Sequence, residues 1–140
     1  PDSTELIIGD IGATLPPFIQ RLTADSPVGF VALDVDTYSS SVDALKIFSR
    51  SGPEVLLPAT CMYVDDSYIN IMQSEFCGEG LAISEFNEAS KKRKIAQKIV
   101  RTHRVSLPWH HAIYFTHVFD HPVRDSYRGV SFIGLDVNKL

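Results

Sequence analysis

Asp34 and Asp36 close an apolar run, Gly29-Phe30-Val31-Ala32-Leu33, and a second run, Cys61-Met62-Tyr63-Val64, ends on Asp65-Asp66. A carboxylate at a buried strand end costs several kcal/mol unless a cation, a donor network or water compensates it. Four such groups on two strand tips point to a divalent cation or a polar ligand. Mg²⁺ takes a few carboxylates together with waters and substrate oxygens, so Asp34, Asp65 and Asp66 form a sensible ligand set. Asp34 and Asp36 share a side if the strand continues and diverge if it turns, whereas the adjacent Asp65 and Asp66 both face one ligand only where the chain bends. The competing explanation is that Asp residues cap helices and open turns after strands. The recurrence of an acidic pair after two apolar strands is what favours a site, because ligands of open α/β sheets collect outside the carboxyl ends of the strands.

The elements that must position these groups follow from periodicity. Leu6-Ile7-Ile8 reads as a short apolar strand left through Gly9-Asp10-Ile11-Gly12. Thr14 is the expected cap of a short helix opening near Pro16-Pro17, with Phe18, Ile19 and Leu22 as its buried stripe. Phe30 to Leu33 has the two-sided apolar character of a central parallel strand. One of Ser39, Ser40 and Ser41 then caps a helix with Val42, Leu45, Ile47 and Phe48 apolar, ended by Ser51-Gly52-Pro53. Val55-Leu56-Leu57 and Cys61 to Val64 read as extended segments flanking Pro58. From Gly80 to about Arg101 the pattern is helical, and Ile99 to Leu107, Ala112 to Phe119 and part of Val130 to Val137 read as late strands. The expected architecture is a single α/β domain: a three-layer Rossmann-like sandwich, parallel in its middle, with a late antiparallel edge pair.

The 140 residues suit one domain with a substantial core. Thirteen Lys and Arg against seventeen Asp and Glu give a net charge of -4, which disfavours nucleic-acid binding because phosphate neutralisation needs a basic surface. The basic cluster Lys91-Lys92-Arg93-Lys94, continued by Lys98, Arg101 and Arg104, reads as the solvated face of a helix. Cys61 and Cys77 form neither a disulfide framework nor a Cys-x-x-Cys pair, in keeping with a reducing compartment. No apolar run approaches the roughly 20 residues that span a bilayer, and no signal-peptide pattern opens the chain, so a cytoplasmic location is the expectation. Starting at Pro1 and entering Glu5-Leu6-Ile7-Ile8-Gly9-Asp10 directly, the chain reads as a piece of something longer.

His110, His111, His117 and His121 invite a zinc reading. Along an extended segment, however, His111, His117 and His121 share a face at intervals too long for one ion, and no His-Glu-x-x-His is present. A structural role fits them better. No Walker-type loop exists, and Ser39-Ser40-Ser41 lacks the Gly-x-Ser-x-Gly elbow of a nucleophile.

Leu33-Asp34-Val35-Asp36-Thr37-Tyr38-Ser39-Ser40-Ser41, preceded by Gly9-Asp10 and Thr14-Leu15-Pro16 and followed by Val64-Asp65-Asp66, resembles the C-terminal part of the S-adenosylmethionine-dependent O-methyltransferases of the macrocin type. The resemblance covers residues 5 to 90. It implies that Asp34, Asp65 and Asp66 hold a divalent metal, Mg²⁺ for example, that orients the hydroxyl of a small-molecule acceptor. It assigns no role to Asp36 or Tyr38 and names neither a catalytic base nor a cofactor-binding residue. The Gly-rich turn and acidic residue that would grip S-adenosylmethionine are not in this chain, so the resemblance implies a cofactor-binding half outside it. The family's Gly-Gly before its fifth strand is replaced by Gly52-Pro53 and a longer lead through Pro58.

Two alternatives stand beside methyl transfer. One is a non-catalytic Rossmann-like scaffold, free to self-associate, that uses the same Asp residues as caps. The other is the haloacid-dehalogenase-like phosphatases, which Asp34-Val35-Asp36 also resembles. In that motif the position of Tyr38 is normally Thr or Val, Thr37 falls one residue early, and the acidic pair follows too soon to leave room for a Lys-bearing segment.

Overall fold

In a computed structural model, which describes residues 4–67, 74–98 and 108–124, the chain forms an α/β structure around a four-stranded mixed sheet. The order along the chain is α1 (Ile11–Ile19), β1 (Val28–Leu33), α2 (Tyr38–Ala44), α3 (Lys46–Arg50), β2 (Leu56–Val64), α4 (Gly78–Ala89), β3 (Arg93–Gln97) and β4 (Ile113–Val118). In space the strands run β1-β2-β4-β3, with β1 and β2 parallel and β4 antiparallel to both of its neighbours. The expected parallel pair is present, with β1 at the edge of the described sheet and not in its middle. The antiparallel partner of β4 is β3, formed from residues expected to be helical, while the expected partner Ile99 to Leu107 lies outside the described residues. No helix among the described residues is long and apolar enough to cross a membrane.

The core lies between the helices and one face of the sheet. Leu33, Met62, Val64, Ile95 and Val118 project from the strands to meet Leu45, Ile47 and Phe48 of the α2–α3 segment and Ala82 and Ile83 of α4. Burying one such side chain contributes about 1.5–3 kcal/mol, so this layer supplies most of the driving force. Thr116 is wholly buried among them and donates its hydroxyl to the Met62 sulfur at 2.9 Å. The register aligns Phe30, Cys61, Phe115 and Ala96 in a row on the opposite face. Phe30 is 59% exposed there and Cys61 and Phe115 only partly buried.

Several elements differ from the sequence expectation for physical reasons. Leu6 to Ile8 enters no ladder, and Leu6 and Ile8 are 82% and 85% exposed. An apolar triplet becomes a strand only where a neighbour accepts its backbone bonds. This segment is held instead by Glu5, which takes a two-pronged hydrogen bond from Arg21 at 2.9 and 3.0 Å. Asp10, not Thr14, caps α1: its carboxylate accepts from the Ala13 amide at 3.1 Å while the Thr14 hydroxyl donates to the Asp10 carbonyl. Pro16 and Pro17 therefore lie inside the helix, where each removes a backbone bond. Core contacts of Ile11, Leu15, Phe18 and Ile19 offset that loss.

Thr37 caps α2 in place of the serines, and the expected single helix breaks at Leu45 into α2 and α3. The two extended segments around Pro58 are one strand. β1 pairs Val28 with Leu56 and then Phe30 with Cys61, so β2 bulges where Pro58 has no amide to give. The buried Thr60 hydroxyl lies 3.3 Å from the Val28 carbonyl and 3.4 Å from that of Leu57, closing the bulge.

The helix expected from Gly80 to Arg101 ends at Ala89, and the basic cluster is no helical face. Lys91 and Lys92 sit in a bend, and Arg93 is buried at the start of β3. Asn87 makes the turn. Its side-chain amide donates to the Ile95 carbonyl at 2.8 Å and its oxygen accepts from the Ile95 amide at 2.7 Å, covering the outer backbone groups of an edge strand. Of the late strands, Ala112 to Phe119 corresponds to β4, whereas Ile99 to Leu107 and Val130 to Val137 lie outside the described residues. Asn87→Ala should cost about 1–3 kcal/mol by leaving two β3 backbone groups unanswered. Hydrogen exchange should accelerate more at Ile95 than at Met62, and equal acceleration at both would sink this account of the clamp.

Candidate functional site

The parallel register pairs Leu33 with Val64. The next residue on each strand is an aspartate, so Asp34 and Asp65 leave the sheet side by side, on backbones about 4.8 Å apart in the hydrogen-bonding direction. The two strand tips are neighbours in the sheet. Asp34 is exposed and Asp65 half-buried. Asp65 opens a short 3-10 turn, Asp65–Ser67, and accepts a hydrogen bond from the Tyr63 hydroxyl at 2.8 Å. Asp66 lies in the same turn, its side chain outside the described part of the structure.

Beside these tips opens a cavity of about 650 Å³, within the range of small-molecule sites. Asp36 reaches it from the loop after β1, Tyr38 from the start of α2, Ser67 from the turn after β2, Glu79 from the start of α4 and Tyr114 from β4. Asp34 and Asp65 are not among its lining residues; Asp36 and Tyr38, to which the sequence assigned no role, are. The reason is local. Asp36 adopts φ 54, and the Thr37 amide donates to the Val35 carbonyl at 2.5 Å across it, so the chain turns sharply after Asp34. The two aspartates of the Asp-x-Asp pair consequently diverge. Left-handed backbone is uncommon outside glycine and Asp tolerates it better than most, so a turn-forming Asp in this position was the signal available in the sequence.

Asp36, Glu75 and Glu79 give the cavity an acidic lining, and no Lys or Arg is among its described lining residues. Glu79 is buried. The Tyr38 hydroxyl donates to the Glu85 carboxylate at 2.5 Å. That bond, followed by partial desolvation and the Glu85 charge, raises the Tyr38 pKa above its ordinary value. The Tyr114 pKa is also raised, first by burial and further by the charge of Glu79, against a lowering hydrogen bond with Ser67. Both phenols are therefore neutral at ordinary pH and suited to hydrogen bonding rather than to proton abstraction. The cavity can accommodate a polyhydroxyl or cationic molecule and disfavours an anion.

The metal expectation can be weighed against these positions. Two carboxylates on adjacent tips match a hard cation that keeps most of its waters, as Mg²⁺ does. No group of three or more His, Cys, Asp and Glu able to hold a metal exists among the described residues, which do not include the Asp66 side chain. The His residues are dispersed: His110 and His111 lie in the 3-10 turn Pro108–Ala112, His117 in β4, stacked near Phe119 with ring centres 6.4 Å apart, and His121 beyond it.

A pH dependence follows from the two tyrosines. A folded-state pKa raised above the unfolded value of 10.0 gives stability that is present below that pH and lost as pH climbs through the folded value. The melting temperature should thus fall above about pH 10, and the fall should be shallower in Tyr114→Phe. Identical profiles for the variant and the parent chain would contradict the burial of this phenol.

Comparison with protein-family models, with curated proteins and with solved structures finds no match to this chain in any of the three.

Proposed function

We propose that the chain is the metal- and substrate-side part of an S-adenosylmethionine-dependent O-methyltransferase acting on a hydroxyl of a small molecule, with the cofactor-binding half outside it. The single observation that supports this most is the Leu33–Val64 pairing, which brings Asp34 and Asp65 to neighbouring tips beside a cavity of suitable size. On this reading the mixed sheet is part of a three-layer Rossmann-like sandwich, and a further layer would cover the outer row of Phe30, Cys61 and Phe115.

Asp34 and Asp65, with Asp66, would hold Mg²⁺ at the rim of the cavity. On this reading the hydrogen bond from Tyr63 would fix the Asp65 carboxylate through one oxygen and leave the other for the ion, as outer-shell donors do for metal ligands. When bound, the ion supplies charge neutralisation to a hydroxyl that gives up its proton as its oxygen takes the methyl group. Asp36 and Glu79 would accept hydrogen bonds from further hydroxyls of the acceptor, while Tyr38 and Tyr114 form neutral polar walls. The acidic lining fits an uncharged or cationic acceptor.

A non-catalytic scaffold is the second reading. The Tyr63–Asp65 hydrogen bond favours it, because that bond already satisfies part of the carboxylate without a cation. Calorimetric titration of the chelator-treated chain with Mg²⁺ separates the two. Methyl transfer predicts saturable binding that weakens at least about tenfold in Asp34→Asn and in Asp65→Asn with little change in melting temperature. Absence of binding, or variants that lose stability and leave Mg²⁺ affinity unchanged, would favour the scaffold.

A further inference from the structure

We propose that a second cavity, at the end of the sheet away from Asp34 and Asp65, binds an amphiphilic organic anion: a phosphate or carboxylate carried on a compact apolar body. The cavity measures about 730 Å³ and lies where α2 and α3 meet the end of α4 and the start of β3. β3 runs parallel to β2, since both are antiparallel to β4, so Arg93 at its start marks the amino end of the sheet. Nothing in the methyl-transfer reading uses this place.

Its walls are basic and its floor is apolar. Lys46, Arg50, Lys91, Lys92 and Arg93 line it, above Leu45, Ala82 and Phe86. Three carboxylates offset part of that charge. Lys46 pairs with Asp43, while Lys92 and Arg93 share Asp120 at 3.8 and 3.7 Å. Glu85, the third, is engaged by Tyr38. Arg50 and Lys91 form no ion pair with any described residue, and both are exposed at the mouth.

Capping of helix ends does not account for the surplus. Cations gather at helix C-termini because free carbonyls attract them; Arg93 and Lys94 serve that role here, whereas Arg50 and Lys91 make no side-chain hydrogen bond to a described residue. Arg93 donates to the Phe48 carbonyl, Lys94 to that of Asn87, and the Ser90 amide to that of Phe86. These contacts also remove the carbonyl charge that would repel an anion.

Three polar atoms buried in the cavity wall lack a hydrogen-bond partner: the Ser51 hydroxyl, the Arg93 Nε and the Asp120 Oδ1. Ser51 is only 5% exposed and lines the cavity, yet its hydroxyl has no hydrogen-bond partner. The Nε of the equally buried Arg93 and the Asp120 Oδ1 face each other at 3.7 Å, an ion pair just beyond hydrogen-bond range that accounts for both atoms. A buried donor is ordinarily satisfied. An anionic headgroup held at the mouth by Arg50 and Lys91 would lay its apolar body on Phe86 and Leu45, and a turn of the Ser51 side chain toward it would give that hydroxyl an acceptor.

The test is titration of the chain with 1-naphthyl phosphate, 1-naphthoate and inorganic phosphate, read by calorimetry at low and moderate salt. At least one of the two naphthyl anions should bind saturably and more weakly as salt rises, with inorganic phosphate at least about tenfold weaker than the better of them. Whichever naphthyl compound binds more tightly identifies the headgroup. The double variant Arg50→Gln, Lys91→Gln, altered only at exposed positions, should lose about tenfold or more in affinity. Ser51→Ala should also weaken binding while leaving the melting temperature unchanged or higher, since it removes an unsatisfied hydroxyl. The proposal fails if neither naphthyl compound binds, if inorganic phosphate binds as tightly as they do, or if affinity survives in both variants.

Discussion

The in-register pairing of two parallel strands is the constraint on which the rest of the molecule depends. A parallel pair delivers both carboxyl ends to the same edge of the sheet, and the alignment of Leu33 with Val64 leaves no offset between them. Side chains alternate with a period of two, so a slip of one residue would turn Val64 out of the core and carry Asp65 to the other face. The bulge opposite Val28 secures the alignment. It takes up the extra length of β2 around Pro58, and the buried Thr60 hydroxyl closes it from within. Packing and chemistry are thus set by one register.

Much of this was legible in the residues. The apolar runs ending at Leu33 and Val64 identify β1 and the second half of β2, and the ends of the two runs are neighbours in the sheet. What was not legible depended on tertiary partners. Leu6-Ile7-Ile8 has strand propensity but nothing to pair with among the described residues. The helical periodicity after Gly80 continues into the basic residues, yet Asn87 clamps Ile95 and converts the following stretch into a strand. Pro58, an expected divider, is accommodated by a bulge. At the site, the aspartate to which the resemblance assigns no role lines the cavity because left-handed backbone at Asp36 separates it from Asp34.

The two ends of the sheet have opposite electrostatic character. The carboxyl end has acidic side chains and phenols held neutral; the amino end has a cationic surplus over an apolar floor. A net charge of -4 conceals this division, which emerges only when the basic cluster is bent away from a helix and Arg93 is drawn into the interior. Fields of opposite sign at opposite ends give the molecule a direction along its strands and allow each end to select a different class of ligand.

The position of β1 carries a further consequence. It stands at the margin of the sheet formed by the described residues, and its sequence, Val-Gly-Phe-Val-Ala-Leu, contains neither a lysine nor a proline to discourage a newcomer. Its outward amides and carbonyls are a template for strand addition, with Phe30 offering an apolar foothold. Preparations of the chain by itself will accordingly be prone to stick to one another through this margin as concentration rises, and a single lysine in place of Phe30 would be the natural remedy for keeping it dispersed.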